Sequence, residues 1–316
     1  VKAVDLELLR PLWTPKSLEN DENCTQSLKL WLIDGSYNVI NTPPLLSLHC
    51  QGDEEIRKSL SLDAFRFSTH AAQTVYELQK STAYSSLTSW RVIQTYYAAY
   101  YAAHAILRFF GKSFSHLETG HVKFLRDRCV SEAAFTPHLS MAYYLLTYTP
   151  EDKRINFLKC DESHKDLWKN FGALLREISN ACLTLRASNS RQQDLSNKFL
   201  DLADALTLRG RFSSSNWLSV VRNEVNYKSL HGTWFPFPKS TPSFDTLMAK
   251  VKDWRSCSYD FENPNLIRAN LERFFITSFI IIDLALAISF DFQKIIGKPG
   301  NRSKNFSRLI NISAAA

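Results

Sequence analysis

The sequence predicts an all-α or mostly α protein, and three observations carry that expectation. Only nine glycines occur among 316 residues, which disfavours a turn-rich all-β architecture. Hydrophobic residues make up 45%, with 21 Phe, 12 Tyr and 7 Trp, enough to bury a full core. Several long stretches repeat apolar residues at spacings of three and four, the period of an amphipathic helix.

The stretch WRVIQTYYAAYYAAHAILRFFG, Trp90 to Gly111, is the clearest of these. Ala98, Ala99, Ala102 and Ala103 leave one side without bulk, so another helix can approach closely. Ile93, Tyr96, Tyr97, Tyr100, Ile106 and Leu107 supply large apolar area around them. A helix of this kind belongs at the centre of a bundle.

Taken in order, residues 1–60 read as an irregular N-terminal extension. A short helix in LELLRPLW stops near Pro11, and residues 28–33 fit a short strand or a short helix. A helix starts between Asp53 and Leu62, and THAAQTVYELQKS from Thr69 is plainly helical. After Gly111 a loop leads to a helix beginning near Glu118 or Gly120. Pro137 opens a helix carrying Met141, Tyr143, Tyr144 and Leu145, and residues 151–165 read as a solvated link. Leu167 to Ser188 is amphipathic through Leu167, Phe171, Leu174, Leu175, Ile178 and Cys182. Asn189 to Asn197 interrupt it, with a further helix from Leu195 to Leu208. Asn216 caps a helix that ends before Gly232, and an aromatic, proline-interrupted loop follows to Phe244. The last main helix, Asn265 to Phe290, has a 17-residue apolar portion from Phe274 broken by Thr277, Ser278, Asp283 and Ser289. That is shorter than the roughly 20 apolar residues of a membrane span, so it reads as a buried core helix with no stable membrane insertion. The division expected is therefore 1–60, a bundle with insertions over 61–296, and a basic tail over 297–316 that carries Lys298, Arg302, Lys304 and Arg308.

The formal charge is +7, from 38 basic and 31 acidic residues, compatible with a nucleic-acid partner without requiring one. The six cysteines are scattered, with no CxxC and no histidine at ligand spacing, so reduced thiols are expected and neither a zinc site nor a disulfide framework. The sequons at Asn23, Asn301, Asn305 and Asn311 are read as chance matches, and the cytoplasm is the expected location. No metal-ligand cluster, phosphate loop or nucleophile elbow is present, and no cofactor is expected.

The most suggestive polar group is RNEVNY, Arg222 to Tyr227. Leu218, Val221 and Val225 form a buried stripe, and Arg222 and Asn226 share an adjoining face. A guanidinium beside an amide grips a phosphate or carboxylate in fixed geometry; equally, Arg222 ties two helices together. His104 reads as a core or edge histidine bonding locally. His116 and His121 flank a helix start, where they cap or cross-link a loop or contribute to a site. His231 is placed to satisfy terminal carbonyls.

YYAAYYAAHAILRFFG, Ser115-His116 and the later RNEVNY together resemble the HEPN superfamily of prokaryotic helical proteins, over roughly residues 69–232. The resemblance implies a bundle of four or five helices, usually dimeric. In active members, a metal-independent ribonuclease site forms from an arginine and a histidine of both protomers. Arg222 corresponds to the family arginine. Tyr227 stands where catalytic members have histidine, and Asn226 where another branch has aspartate before tyrosine. A phenol with a pKa of about 10 is a poor base near neutrality. His231 lies about 13.5 Å further along an unbroken helix, and only a helix break or a partner protomer returns it to the motif.

Three functions follow from the resemblance. The first is a non-catalytic component of a prokaryotic defence or toxin–antitoxin system that binds RNA, a nucleotide or a protein. The second is an endoribonuclease toxin, with Arg222 on the phosphate and His116, His121 or His231 supplying the imidazole. The third is a structural dimerisation or scaffold protein. The partner expected is a second copy or an antitoxin-like protein, with RNA or nucleotide possible.

Overall fold

The computed structural model describes residues 3–17, 25–42, 45–80, 88–234 and 263–296. Helix dominates them, as expected. Nine α-helices occur among the described residues: α1 (Ala3–Ser17), α2 (Leu28–Asp34), α3 (Glu54–Lys80), α4 (Thr88–Phe109), α5 (Thr119–Ala133), α6 (Ser163–Cys182), α7 (Asn189–Thr207), α8 (Trp217–Lys228) and α9 (Asn270–Ile296). A 3-10 turn at Pro264–Leu266 precedes α9. The unexpected element is a five-stranded sheet: β1 (Tyr37–Thr42), β2 (Leu45–Cys50), β3 (Lys112–Leu117), β4 (Ala142–Thr149) and β5 (Arg154–Cys160). Its order is β1-β2-β5-β4-β3, and every pairing is antiparallel.

The chain divides into two compact units. One contains residues 1–9, 67–103 and 168–316, and the regular elements among its described residues are all helices. The other contains residues 10–66 and 104–167 and holds the sheet.

In the helical unit, Ala98, Ala99, Ala102 and Ala103 of α4 are all wholly buried, as their lack of bulk requires. On α6, Phe171, Leu174, Leu175, Ile178 and Cys182 are buried together, which is the stripe read from their spacing. The interruption expected at Asn189–Asn197 is absent, because α7 begins at Asn189 and runs through it. Asn189, Ser190, Gln193, Asp194 and Asn197 lie on its outer side, while Leu195, Ser196, Phe199 and Leu202 turn inward. In α9 the candidate membrane window is 89% buried within the protein, so core packing accounts for its apolarity. The Ser289 hydroxyl is used locally: it donates to Ala285 O and lies 2.8 Å from the Ser68 hydroxyl.

In the second unit, one face of the sheet forms the core. Tyr37 and Val39 of β1, Leu46 and Leu48 of β2, Ile155 and Phe157 of β5, and Tyr144, Leu146 and Tyr148 of β4 all point inward. They pack with Leu28, Trp31 and Leu32 of α2 and Val122, Leu125 and Cys129 of α5. In β1 and along Arg154 to Leu158 of β5, buried and more exposed residues alternate at the period of two of a half-buried strand, whereas Phe114 of β3 and Leu145 of β4 are buried on the opposite face as well. Arg128 of α5 fastens this layer: it donates to Tyr37 O at 2.8 Å, and its guanidinium lies 4.1 Å from the Tyr37 ring centre.

Several sequence expectations are corrected here. Residues 142–149 are a strand, although a helix from Pro137 was expected. The inward series Tyr144, Leu146, Tyr148 has strand period, and tyrosine and threonine favour a pleated surface. The expected solvated link contains β5, whose charges flank an Ile155, Phe157 alternation. The loop expected after Gly111 is β3. Residues 28–34 resolve the strand-or-helix choice in favour of a helix, capped by the Ser27 hydroxyl. Two strands follow within the expected irregular extension. Finally, α1 continues through Pro11 and Pro15 to Ser17. Each internal proline costs about 3 kcal/mol in an exposed helix, but here Leu9 and Trp13 are wholly buried and Ser17 donates to Phe109 O at 2.9 Å. The expected aromatic loop beyond Trp234 and the basic tail over 297–316 lie outside the described residues.

Candidate functional site

Helix α8 carries the Arg222 motif. Leu218, Val221 and Val225 are buried as one stripe, with Trp217 beside them. Asn216 stands at the N-cap position, although its side chain makes no capping hydrogen bond. The helix ends before Gly232, as expected, with Lys228 as its last residue and Ser229 as its C-cap: Ser229 takes the left-handed conformation with φ 51°, and its amide donates to Glu224 O.

Arg222 is 6% exposed. Its guanidinium lies 5.1 Å from the ring centre of Tyr96 and 5.8 Å from that of Tyr97, both on α4. No carboxylate among the described residues pairs with it, and its Nε is buried without a hydrogen-bond partner. The charge is held by aromatic faces, a cation–π arrangement that suits the weakly hydrated, planar guanidinium. Beneath it, the Trp168 indole of α6 donates to the Tyr96 hydroxyl at 3.1 Å. Burial raises the Tyr96 phenol above its usual value, opposed by its contacts with Trp168, Ser219 and Arg222. Tyr96 is therefore a neutral hub joining α4, α6 and α8.

The other residues of the motif face elsewhere. Asn226 is half-buried, and Tyr227 is 73% exposed. His231 does return to α8, because positive φ at Ser229, His231 and Gly232 turns the chain back on itself. It does not return to Arg222. Its Nε2 lies 2.9 Å from Glu224 Oε2, and the Trp234 indole donates to Val225 O at 2.6 Å. Together these contacts staple the end of the helix. The role expected for His231, satisfying terminal carbonyls, passes to the Ser229 and Leu230 amides that cap Glu224 O.

His116 and His121 belong to the sheet unit. The His116 ring lies 4.8 Å from that of Tyr143 across the β3–β4 pair. His121 is on the first turn of α5, where burial, then the charge of Lys29, lowers its pKa below the ordinary histidine value. Lys29 bonds Glu118 at 2.8 Å at the start of that helix, which holds the Glu118 carboxyl below its usual range. His104 is a buried core histidine bonding locally, as expected. Arg108 Nη1 donates to its Nδ1 and to its carbonyl oxygen, both at 3.1 Å. Burial, then the Arg108 charge, drives its pKa well below 6.5, so the ring is neutral.

The residues missed from the sequence are Tyr96, Trp168 and Glu224. The tyrosines of α4 were read only as apolar area; nothing in their spacing marked two of them as the seat of an arginine. No group of three or more potential metal ligands occurs among the described residues. Compared with protein-family models, curated proteins and solved structures, the chain matches none.

Proposed function

We propose that this chain is a non-catalytic HEPN-like helical protein, acting by binding within a prokaryotic defence or toxin–antitoxin system. One observation carries the non-catalytic part: Arg222 is buried against the rings of Tyr96 and Tyr97. A ribonuclease of the kind the motif resembles needs its arginine on the scissile phosphate and a histidine beside the ribose hydroxyl. Here the position five after Arg222 holds an exposed tyrosine, and the nearby histidine is engaged with Glu224. The HEPN-like part is supported by the motif itself and by the helical composition of the unit that contains α8.

The test is direct. Purified protein is incubated with transfer and messenger RNA, with and without a chelator. Both RNAs are expected to stay intact. Reproducible cleavage that disappears in Arg222→Ala, with the variant still folded, would overturn the reading.

A further inference from the structure

We propose that Arg209 and Arg273 form a site for a tetrahedral phosphoryl anion, either free phosphate or the phosphate of a monoester. Both residues belong to the helical unit, and the site does not rest on the role given to Arg222.

Two guanidiniums are fixed on one short segment. Arg209, in the loop after α7, donates from Nη2 to the carbonyl oxygen of Asn265. Arg273, in the first turn of α9, donates from Nη2 to that of Ile267. The two acceptors are two residues apart, at the 3-10 turn that precedes α9. The Asn265 side chain ties this turn to α7 by donating to Asp201 O at 2.9 Å. Both arginines are thus oriented by backbone carbonyls, which hydrogen-bond a cation without neutralising it. Each such bond occupies one of the five N–H donors of a guanidinium. Arg209 is exposed, so the pair opens to solvent, and the buried Nε of Arg273 has no hydrogen-bond partner.

The charges are left uncompensated. No carboxylate among the described residues pairs with either arginine, and Asp204, on the last turn of α7, is taken by Arg176 at 2.9 Å. The neighbouring charge that acts on Arg273 is that of Arg209, not that of Glu272 beside it in sequence. Burial, then this like charge, lowers the Arg273 pKa below its ordinary value. Like charges brought together without a counter-ion oppose folding, and an anion between them reverses that cost.

The start of α9 adds to the same field. Ala269, whose carbonyl accepts from Arg273 N at 3.0 Å, has no side-chain oxygen to cap the first turn. Arg268, Ala269 and Asn270 are exposed there. A cation in the first turn opposes the helix dipole, whereas an anion is favoured by it.

The donor set selects the class of anion. A carboxylate offers two coplanar oxygens to one fork. A phosphoryl group offers tetrahedral oxygens and close to two negative charges, which two forks from separate elements match.

The test is isothermal titration calorimetry on the full chain, in chloride buffer at constant ionic strength. Inorganic phosphate, adenosine monophosphate, adenosine and acetate are titrated separately. Phosphate and the monophosphate are expected to bind saturably, and adenosine and acetate are not. A monophosphate that binds more tightly than phosphate assigns the site to an ester; otherwise it belongs to the free ion, and either result supports the site. Arg209→Gln and Arg273→Met are each expected to weaken phosphate binding about tenfold or more. Lys228→Gln, on α8, is expected to leave it unchanged. Arg209→Lys restores the charge without the fork and should recover only part of the affinity. Because Arg209 is an exposed loop residue, its two variants carry the test even if Arg273→Met does not fold. Absence of saturable phosphate binding, acetate bound as tightly as phosphate, or full phosphate affinity in Arg209→Gln would each overturn the proposal.

Discussion

The Trp168 indole donates to the Tyr96 hydroxyl at 3.1 Å, both side chains being wholly buried. This bond links α6 to α4 directly below the arginine of α8. Tyr96→Phe removes the acceptor and strands a buried N–H, at an expected cost of about 1–3 kcal/mol. In a Trp168→Phe background the same substitution should cost clearly less, because the indole donor is no longer there to be left unpaired. Urea unfolding of the four proteins checks this, and equal costs in both backgrounds would refute the bond's importance.

Gly172 on α6 packs against Ser215, and a Cβ there would lie 2.3 Å from the Ser215 Oγ and 2.8 Å from its Cβ. Gly172→Ala is expected to destabilise by about 1–3 kcal/mol through overpacking. Ser215 has φ 52°, a conformation that glycine adopts freely. Ser215→Gly should therefore relieve the clash and recover most of the loss in the double variant. Additive costs would show that the two positions do not meet.

His104 makes stability depend on pH. Its folded pKa is below the unfolded value near 6.5, through burial and then the Arg108 charge. The unfolded chain thus binds the proton more readily. The contribution is complete above about pH 6.5 and is lost as pH falls below it, at up to about 1.4 kcal/mol per pH unit for one proton. Denaturant midpoints measured between about pH 5 and 7.5 should fall on the acid side. His104→Gln should flatten that slope, and an unchanged slope would contradict the assignment.

The four described cysteines, Cys50, Cys129, Cys160 and Cys182, are all buried. Burial pushes the Cys50 and Cys182 thiols up to about 12 and Cys129 up to about 11. The reactive species is the thiolate, so alkylation at neutral pH followed by peptide mass analysis should find these four unmodified until denaturant is added. Rapid native labelling of Cys50 or Cys182 would show that those regions open.

The helical unit was largely legible in the sequence, because its helices are long enough for the 3.6 period to show. The burial of α6 through Phe171, Leu174, Leu175 and Ile178 follows from spacing alone. The sheet was not legible, for physical reasons. Its strands are six to eight residues long, too short to separate periods when apolar residues also cluster. In β4 the run YYLL satisfies both periods, and only pairing with β3 and β5 selects the strand. Arg222 was found from its motif, but its seat was not. The rings that hold it come from α4, well over a hundred residues earlier, and sequence spacing cannot show that approach. The return of His231 rested on positive φ at Ser229, a residue type with no preference for the left-handed conformation.

The most direct test of the role assigned to Arg222 is the stability of Arg222→Met relative to the parent protein and to Tyr96→Leu. Methionine fills the volume without the charge. If the guanidinium is a structural post on Tyr96, Arg222→Met should cost about 1–2 kcal/mol, and the loss should shrink when Tyr96 is already leucine. Residues kept for chemistry are commonly stability-neutral or costly in the free protein. An Arg222→Met variant as stable as the parent, or more so, with no coupling to Tyr96, would contradict the structural role.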